Sequence, residues 1–320
     1  MRVLIIGGGG FLGQKLATAI AGQGSLAGQA ITGMTLADLT RPAAPEAPFS
    51  VSTVAADITA PTGCEALMED RPEIIYHLAA IVSGQAEAEF DIGMRVNLMG
   101  SLNVFEAARA TGTVPMVIFT SSIAVYGGEI PQLVEDWTQL NPQTSYGAQK
   151  AAAELILTDM SRKGYIDGRG LRLPTISIRP GKPNKAASSF MSSIFREPLQ
   201  GQEAECPVGP DFAHWYLSPR RCIENLIHAA SVPAVEWGQN RCLALPGRTH
   251  RIGEMVEAMR KVAGDEPVGL IRWREDPAVQ AIVNGWMARF DPAKALRLGF
   301  VADDSFEENI RFFLEDDIAR

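Results

Sequence analysis

Met1-Arg2-Val3-Leu4-Ile5-Ile6-Gly7-Gly8-Gly9-Gly10-Phe11-Leu12-Gly13 passes from an apolar run through four glycines into a helical pattern over residues 12–21. Residues 3–6 predict a buried strand, so the glycines occupy a strand-to-helix turn. A dinucleotide pyrophosphate must approach backbone N–H groups at a helix N-terminus closely, and a Cβ in the turn holds it off. The run satisfies two templates, Gly7-x-x-Gly10-x-x-Gly13 and Gly8-x-Gly10-x-x-Gly13. Gly10 and Gly13 are common to both, and the register of the first glycine stays open. Asp38 ends the next candidate strand, residues 33–37. A carboxylate there accepts hydrogen bonds from ribose hydroxyls and repels a 2′-phosphate, which points to NAD rather than NADP. Arg41 complicates that preference, because it meets a 2′-phosphate if its loop folds back.

Outward from this turn, short β-branched runs alternate with amphipathic stretches, the rhythm of βαβ units around a parallel sheet. Further strands are expected at 74–77, 116–120 and 173–178, and helices at 90–110 and 146–162. Gly112 and Gly164 close the two helices. Residues 41–50, with their prolines, read as a loop. The class is α/β, a doubly wound parallel sheet over residues 1–180. Past Arg179-Pro180-Gly181-Lys182-Pro183 the alternation weakens. Residues 181–320 are expected to form a smaller, interleaved substrate lobe, with parts of 212–250 packing back on the first domain. Ser218-Pro219 announces a helix to about residue 230. Others are expected at 252–262 and 305–315.

Composition narrows the function. Of 320 residues, 46% are hydrophobic and 21% charged, the balance of an ordinary globular protein. Lys and Arg number 29 against 37 Asp and Glu, a net charge of −8, which speaks against nucleic-acid and membrane-surface partners. No apolar stretch is long enough to span a bilayer, and the apolar start runs into glycines rather than a cleavage site. Cys64, Cys206, Cys222 and Cys242 are widely spaced, neither a disulfide framework nor a metal site, so no metal is expected and the cytoplasm is the expected compartment.

Tyr146-Gly147-Ala148-Gln149-Lys150 opens a helical stretch, and the spacing of four puts tyrosine and lysine on one face. A tyrosine working as a base near neutrality needs its pKa lowered by about 3 units, which an adjacent ammonium and a positive nicotinamide can supply together. Thr120-Ser121-Ser122 follows a buried strand and so reaches the carboxyl edge of the sheet, where ligands of doubly wound folds bind. One of the two serines is expected to hydrogen-bond the reacting oxygen. His77, ending a buried strand, reads as a packed core residue. His214 and Trp215 lie nearer the substrate lobe, and one of Arg220 and Arg221, at a helix start where cations gain nothing from the dipole, is available for binding.

These features together resemble the extended short-chain dehydrogenase/reductase family, the Rossmann-fold group of NAD-dependent epimerases and dehydratases. The resemblance rests on Gly7-x-x-Gly10-x-x-Gly13, Asp57-Ile58, His77-Leu78-Ala79-Ala80, Asn97, the Ser-Ser-x-x-Val-Tyr-Gly stretch at Ser121, Tyr146-x-x-x-Lys150, Arg179-Pro180-Gly181 and the closing segment 296–310. It implies that Gly7, Gly10, Phe11, Leu12 and Gly13 hold the pyrophosphate, Asp38 the ribose, and Asp57 and Ile58 the adenine. It further implies that Leu78, Ala79, Ala80 and Pro180 line the NAD cleft and that Asn97 orients Lys150 through water. Ser122 holds the substrate oxygen, Tyr146 is the acid/base, and Lys150 binds the nicotinamide ribose.

Two stretches depart from the sugar-nucleotide pattern, His214-Trp215-Tyr216-Leu217-Ser218-Pro219-Arg220-Arg221 and Lys182-Pro183-Asn184-Lys185-Ala186-Ala187-Ser188-Ser189-Phe190. They resemble the branch of the family that oxidises a four-carbon sugar acid, D-erythronate, at its C2 hydroxyl to the 2-oxo acid. Lys182, Lys185 and Ser189 are then the expected carboxylate cradle. The same lysines also fit surface positions or the diphosphate of a nucleotide sugar. An NAD-dependent nucleotide-sugar epimerase or dehydratase is the alternative, and a non-catalytic NAD-sensing protein a second. Relatives commonly pair through the helices bearing Asn97 and Tyr146, so a homodimer is expected.

Overall fold

The computed structural model describes residues 1–181, 187–283 and 285–318. Strands β1 (Arg2–Ile6), β2 (Gly33–Asp38), β3 (Ser50–Ala55), β4 (Ile74–His77), β5 (Met116–Ser122) and β6 (Asp167–Leu173) enter one sheet. Two short strands follow, β7 (Thr175–Ile176) and β8 (Ala213–Leu217), then β9 (Cys242–Ala244) and β10 (Arg248–Arg251). The large sheet is parallel throughout, in the order β9-β6-β5-β4-β1-β2-β3. This is the doubly wound α/β architecture expected from the sequence. Strands β7, β8 and β10 form a second, three-stranded sheet.

Alternate residues of each strand bury on opposite faces of the sheet, as a pleat requires. On one side Val3, Ile5, Leu36 and Tyr76 pack with Leu16 and Ile20 of helix α1 (Phe11–Gln23). On the other, Leu4, Ile6, Ile75 and Phe119 pack with Val104 and Phe105 of α2 (Ser101–Ala110) and Leu157 of α3 (Ser145–Arg162). Leu226 and Ala229 of α4 (Pro219–Ser231) complete the first side. A separate core around Phe195, Met255 and Phe306 lies in the later part of the chain.

The chain moves outward from β1 through β2 and β3, then returns to place β4 on the other side of β1. That reversal opens a crevice at the carboxyl ends of β1 and β4. There the N–H groups of Leu78 and Ala79 both donate to the Ile6 carbonyl, at 2.8 and 3.1 Å.

Three expectations need correction. Residues 50–55 form strand β3, where the loop reading had run to residue 50. The helix at 90–110 is three pieces, with a π-helical turn at Met94–Gly100 between α-helical Phe90–Gly93 and α2. The strand expected at 173–178 is instead β6, which ends at Leu173, while β7 belongs to the other sheet. Strand β6 reads Asp-Gly-Arg-Gly-Leu-Arg-Leu and lacks an apolar signature because its charges are paired inside the fold. Arg172 is bonded to Glu154 and to the Tyr126 hydroxyl, and Arg169 to Asp167 and the carbonyls of Ala229 and Val232. Gly168 is a glycine because a Cβ there would stand 2.7 Å from Leu157 Cγ.

Candidate active site

Packing demands a glycine at both candidate first positions, since a Cβ on Gly8 would lie 2.9 Å from Leu36 Cβ. Gly7 has φ +87°, and a Cβ on it would lie 2.6 Å from the Ala79 nitrogen. A Cβ on Gly13 would run into the Gly7 carbonyl oxygen. These two glycines let β1, the first turn of α1 and the loop after β4 close on one another. Gly10 is different: a Cβ there would meet just the Gly7 carbonyl oxygen, at an ordinary 3.5 Å. Protein packing does not require a glycine at this position, which leaves the space above it for a ligand. Gly10 is also the N-cap of α1 and supplies no capping side chain. The first turn of α1 thus carries no acidic residue and no side-chain cap of its own.

At the end of β2 the Asp38 carboxylate accepts from Gly9 N–H at 2.9 Å and from Leu39 N–H at 2.7 Å, which fixes it beside the turn. Arg41 is exposed and makes no ion pair among the described residues. Asp57 is exposed and accepts from Thr59 N–H at 2.8 Å. Ile58 is buried, and its carbonyl accepts from Asn103 Nδ2 at 2.9 Å. The open helix terminus, the close glycine turn and the fixed carboxylate fit a bound NAD.

Phe11, Leu12, Leu78 and Ala80 line a cavity of about 260 Å³ that runs on to Ser121, Ser122, Tyr146, Lys150 and Arg179. A second cavity of about 110 Å³ adjoins it, lined by Tyr126, Thr144, His214, Trp286 and Met287. Ser83, Ser122, Ile123, Tyr146, Thr175 and Ser188 line both cavities. The serine and the tyrosine therefore stand at their junction. Pro180 lines a neighbouring groove between α1 and α4 instead.

Local structure places these groups. Thr144 caps α3 by accepting from Gly147 N–H at 3.1 Å, so Tyr146 and Lys150 fall on its first turns. Gly147 tucks this turn under the loop after β5, where a Cβ would strike the Ala124 carbonyl. Ser122 ends β5 and accepts from Ala124 N–H at 3.1 Å, which orients its hydroxyl. Ser121, buried, has no hydrogen-bond partner among the described residues. Lys150 is 1% exposed, donates to the Thr120 carbonyl at 2.8 Å, and stands 5.8 Å from the Tyr146 ring centre and 4.6 Å from that of Phe119. The direct bonds of the Asn97 side chain run to the Ile81 backbone and to Gln149 Oε1, next to Lys150 on α3.

Without the nicotinamide charge, burial works against the acidity that Tyr146 needs. Burial pushes the Tyr146 phenol up to about 12 rather than down, and pushes Lys150 down to about 7 against a smaller opposing pull from Glu154. Loss of water penalises the charged form of each group. The protein alone therefore does not acidify the phenol.

Other candidates take structural roles. His77 packs between Phe105 and Phe119 and bonds Ser101 Oγ at 2.9 Å. Arg220 pairs with Glu315 and Asp316, and Arg221 with Glu224 and Glu308, so neither is held open for a ligand. Trp215 is buried against Phe290, whereas His214 lines the smaller cavity and bonds Thr175 Oγ1 at 2.9 Å. Ser189 ends a short 3-10 turn, and Lys182 and Lys185 lie outside the described residues. Thr175, Ser83 and Trp286 carried no sequence signal, because each joins the site through tertiary packing.

The model of the NAD dependent epimerase/dehydratase family matches residues 3–216. A D-erythronate dehydrogenase of Cupriavidus necator is 47% identical over 320 residues, covering 99% of this chain and 98% of that protein. One from Haemophilus influenzae is 41% identical, covering 99% and 100%. The crystal structure of a protein described as a nucleoside-diphosphate-sugar epimerase from Agrobacterium tumefaciens superposes with a TM-score of 0.96 at 47% identity, over 100% of this chain and 95% of that one.

Proposed function

The chain belongs to the NAD-dependent epimerase/dehydratase family, and from that premise we propose that it oxidises the C2 hydroxyl of D-erythronate to 2-dehydro-D-erythronate. The junction of the two cavities carries this reading. Ser122 and Tyr146 line both, so a hydroxyl held there faces the cofactor cleft on one side and a small pocket of mixed polar and apolar lining on the other. At about 110 Å³ that pocket is well below the roughly 300–1,000 Å³ of sites for drug-sized ligands. The size favours a four-carbon acid over a nucleoside diphosphate sugar. The names of the two full-length relatives point the same way.

The Gly7–Gly13 turn and Asp38 would hold NAD, which when bound would supply a hydride acceptor and a positive charge. Ser122 donates to or accepts from the reacting hydroxyl and fixes its direction. Tyr146 Oη, as phenolate, takes the hydroxyl proton as the C2–H bond breaks. Lys150, clamped to Thr120, holds its ammonium one helical turn from the phenol and is the residue that would bind the nicotinamide ribose. The positive charges of lysine and cofactor together must outweigh the burial that raises the phenol pKa.

Residues 1–180 serve as the cofactor domain in this reading and 181–320 as the substrate lobe. A homodimer is supported by Phe90, Met99 and Leu155, which are 56%, 49% and 66% exposed on the helical segments around Asn97 and on α3. A cytoplasmic setting is supported by four free, buried cysteines. Among the described residues no helix is long and apolar enough to cross a membrane.

The name of the Agrobacterium structure favours a second reading, nucleotide-sugar epimerisation. Four- to six-carbon aldonic acids and nucleotide sugars, offered with NAD⁺ and NADP⁺ and followed at the NADH absorbance, separate the two. Released NADH with D-erythronate supports the dehydrogenase, while an epimerised sugar without net NADH overturns it.

A further inference from the structure

We infer that Arg179 is the residue that receives the substrate's carboxylate and so directs oxidation to C2. The inference rests on the sugar-acid reading above. Among the described residues, Lys150 and Arg179 are the cationic side chains that line the larger cavity. Lys150 is committed to the Thr120 carbonyl and almost wholly buried. Arg179 makes no comparably short side-chain bond among the described residues.

Its backbone is held at both ends. Arg179 N–H donates to Ser192 Oγ at 3.1 Å, and its carbonyl accepts from Arg196 Nη1 at 2.9 Å. Its guanidinium makes one long bond, from Nη2 to the Ser188 carbonyl at 3.3 Å, and pairs with no carboxylate among the described residues. Among the described residues, most of its five N–H donors therefore have no partner. Neighbouring Arg196, in contrast, is paired with Glu197 at 2.6 Å. Burial and the nearby Arg196 charge push Arg179 down to about 10, the mark of a cation without its counter-charge, yet one that stays protonated at neutral pH.

Ser188, the residue that Arg179 touches, lines both cavities with Ser122 and Tyr146. Arg179 itself lines the larger cavity, and a planar guanidinium reaching Ser188 from that side matches a carboxylate with two parallel N–H···O bonds. In a 2-hydroxy acid the carboxylate is bonded to C2. Fixing it brings the C2 hydroxyl, and not those at C3 or C4, to Tyr146.

The test uses the full-length enzyme with D-erythronate, its uncharged amide as an isosteric probe, and NAD⁺. Arg179→Gln is expected to lower kcat/KM for D-erythronate roughly 100-fold, the scale of a lost charge-assisted pair. Turnover of the amide and the Kd for NAD⁺ should stay within about threefold of wild type. Arg179→Lys, which keeps the charge but not the fork, should fall between, and it decides the matter if the Gln variant does not fold. An equal loss for acid and amide, or a weakened NAD⁺ Kd, overturns the inference by placing Arg179 on the cofactor or in the scaffold. A loss confined to Lys182→Gln or Lys185→Gln overturns it in favour of those lysines. If the wild type oxidises no sugar acid, the functional reading fails separately. Arg179 is then judged by calorimetric binding of D-erythronate to the NADH complex: binding lost in Arg179→Gln upholds it, and binding that is unchanged or absent overturns it.

Discussion

Lys150 Nζ donates a 2.8 Å hydrogen bond to the carbonyl oxygen of Thr120, joining the first turns of α3 to the end of β5. Tyr146 lies one turn before this lysine and Ser122 two residues after this threonine. One bond therefore sets the helix that carries the base against the strand that carries the hydroxyl clamp.

Tyr146→Phe leaves that bond in place and removes the proton acceptor. We expect kcat to fall at least about 10³-fold, in the range for loss of a general base. The Kd for NAD⁺, read by fluorescence titration, should stay within about threefold, since the ring still lines the cleft. Turnover close to wild type removes Tyr146 from the mechanism.

Lys150 stores a stability cost with a defined pH window. Its pKa is about 7 in the fold against 10.5 ordinarily, so between these values the unfolded chain binds more protons. Stability therefore falls as pH drops from 10.5 to 7, and stays at the reduced level below. Lys150→Met removes the buried cation. The variant should melt above wild type at pH 7, with the gap narrowing toward pH 10, while turnover is lost. A Tm difference that does not change with pH contradicts the assignment of this cost to Lys150.

The two glycines at the heart of the turn should fail differently. Gly13→Ala forces a methyl into the Gly7 carbonyl and should lower Tm with or without cofactor. Gly10→Ala meets nothing closer than 3.5 Å in the protein and should leave the apo Tm nearly unchanged. Its NAD⁺ Kd should rise roughly tenfold or more, because the methyl occupies the pyrophosphate's approach. Calorimetry of the apo proteins and NAD⁺ titration read the two effects separately.

Asp38→Asn keeps an acceptor oxygen for Gly9 N–H while discharging the site. The ratio of kcat/KM for NADP⁺ to that for NAD⁺ should rise roughly tenfold or more, since the carboxylate no longer repels a 2′-phosphate. An unchanged ratio transfers the discrimination to another group near the adenosine ribose.

The elements legible in the sequence share one property: their geometry is set by neighbours in the chain. The strand, glycine turn and helix of residues 2–23 declare themselves because backbone close approach and pleat alternation are local. Tyr146 and Lys150 share a face because a helix puts residues four apart together, and Ser218 caps α4 for a similarly local reason. Strand β6 was invisible because its arginines are neutralised by Glu154 and by carbonyls near residue 230, far along the chain. Arg220 and Arg221 looked available until the acidic carboxy-terminal segment closed on them.

The amino-acid order by itself thus determined the α/β class, the NAD turn and the pairing of Tyr146 with Lys150, all consequences of backbone periods of two and 3.6 residues. Tertiary structure alone decided which cations are neutralised and which are left facing a cavity. Charge pairing and desolvation act through space between segments that approach one another only after the chain has packed.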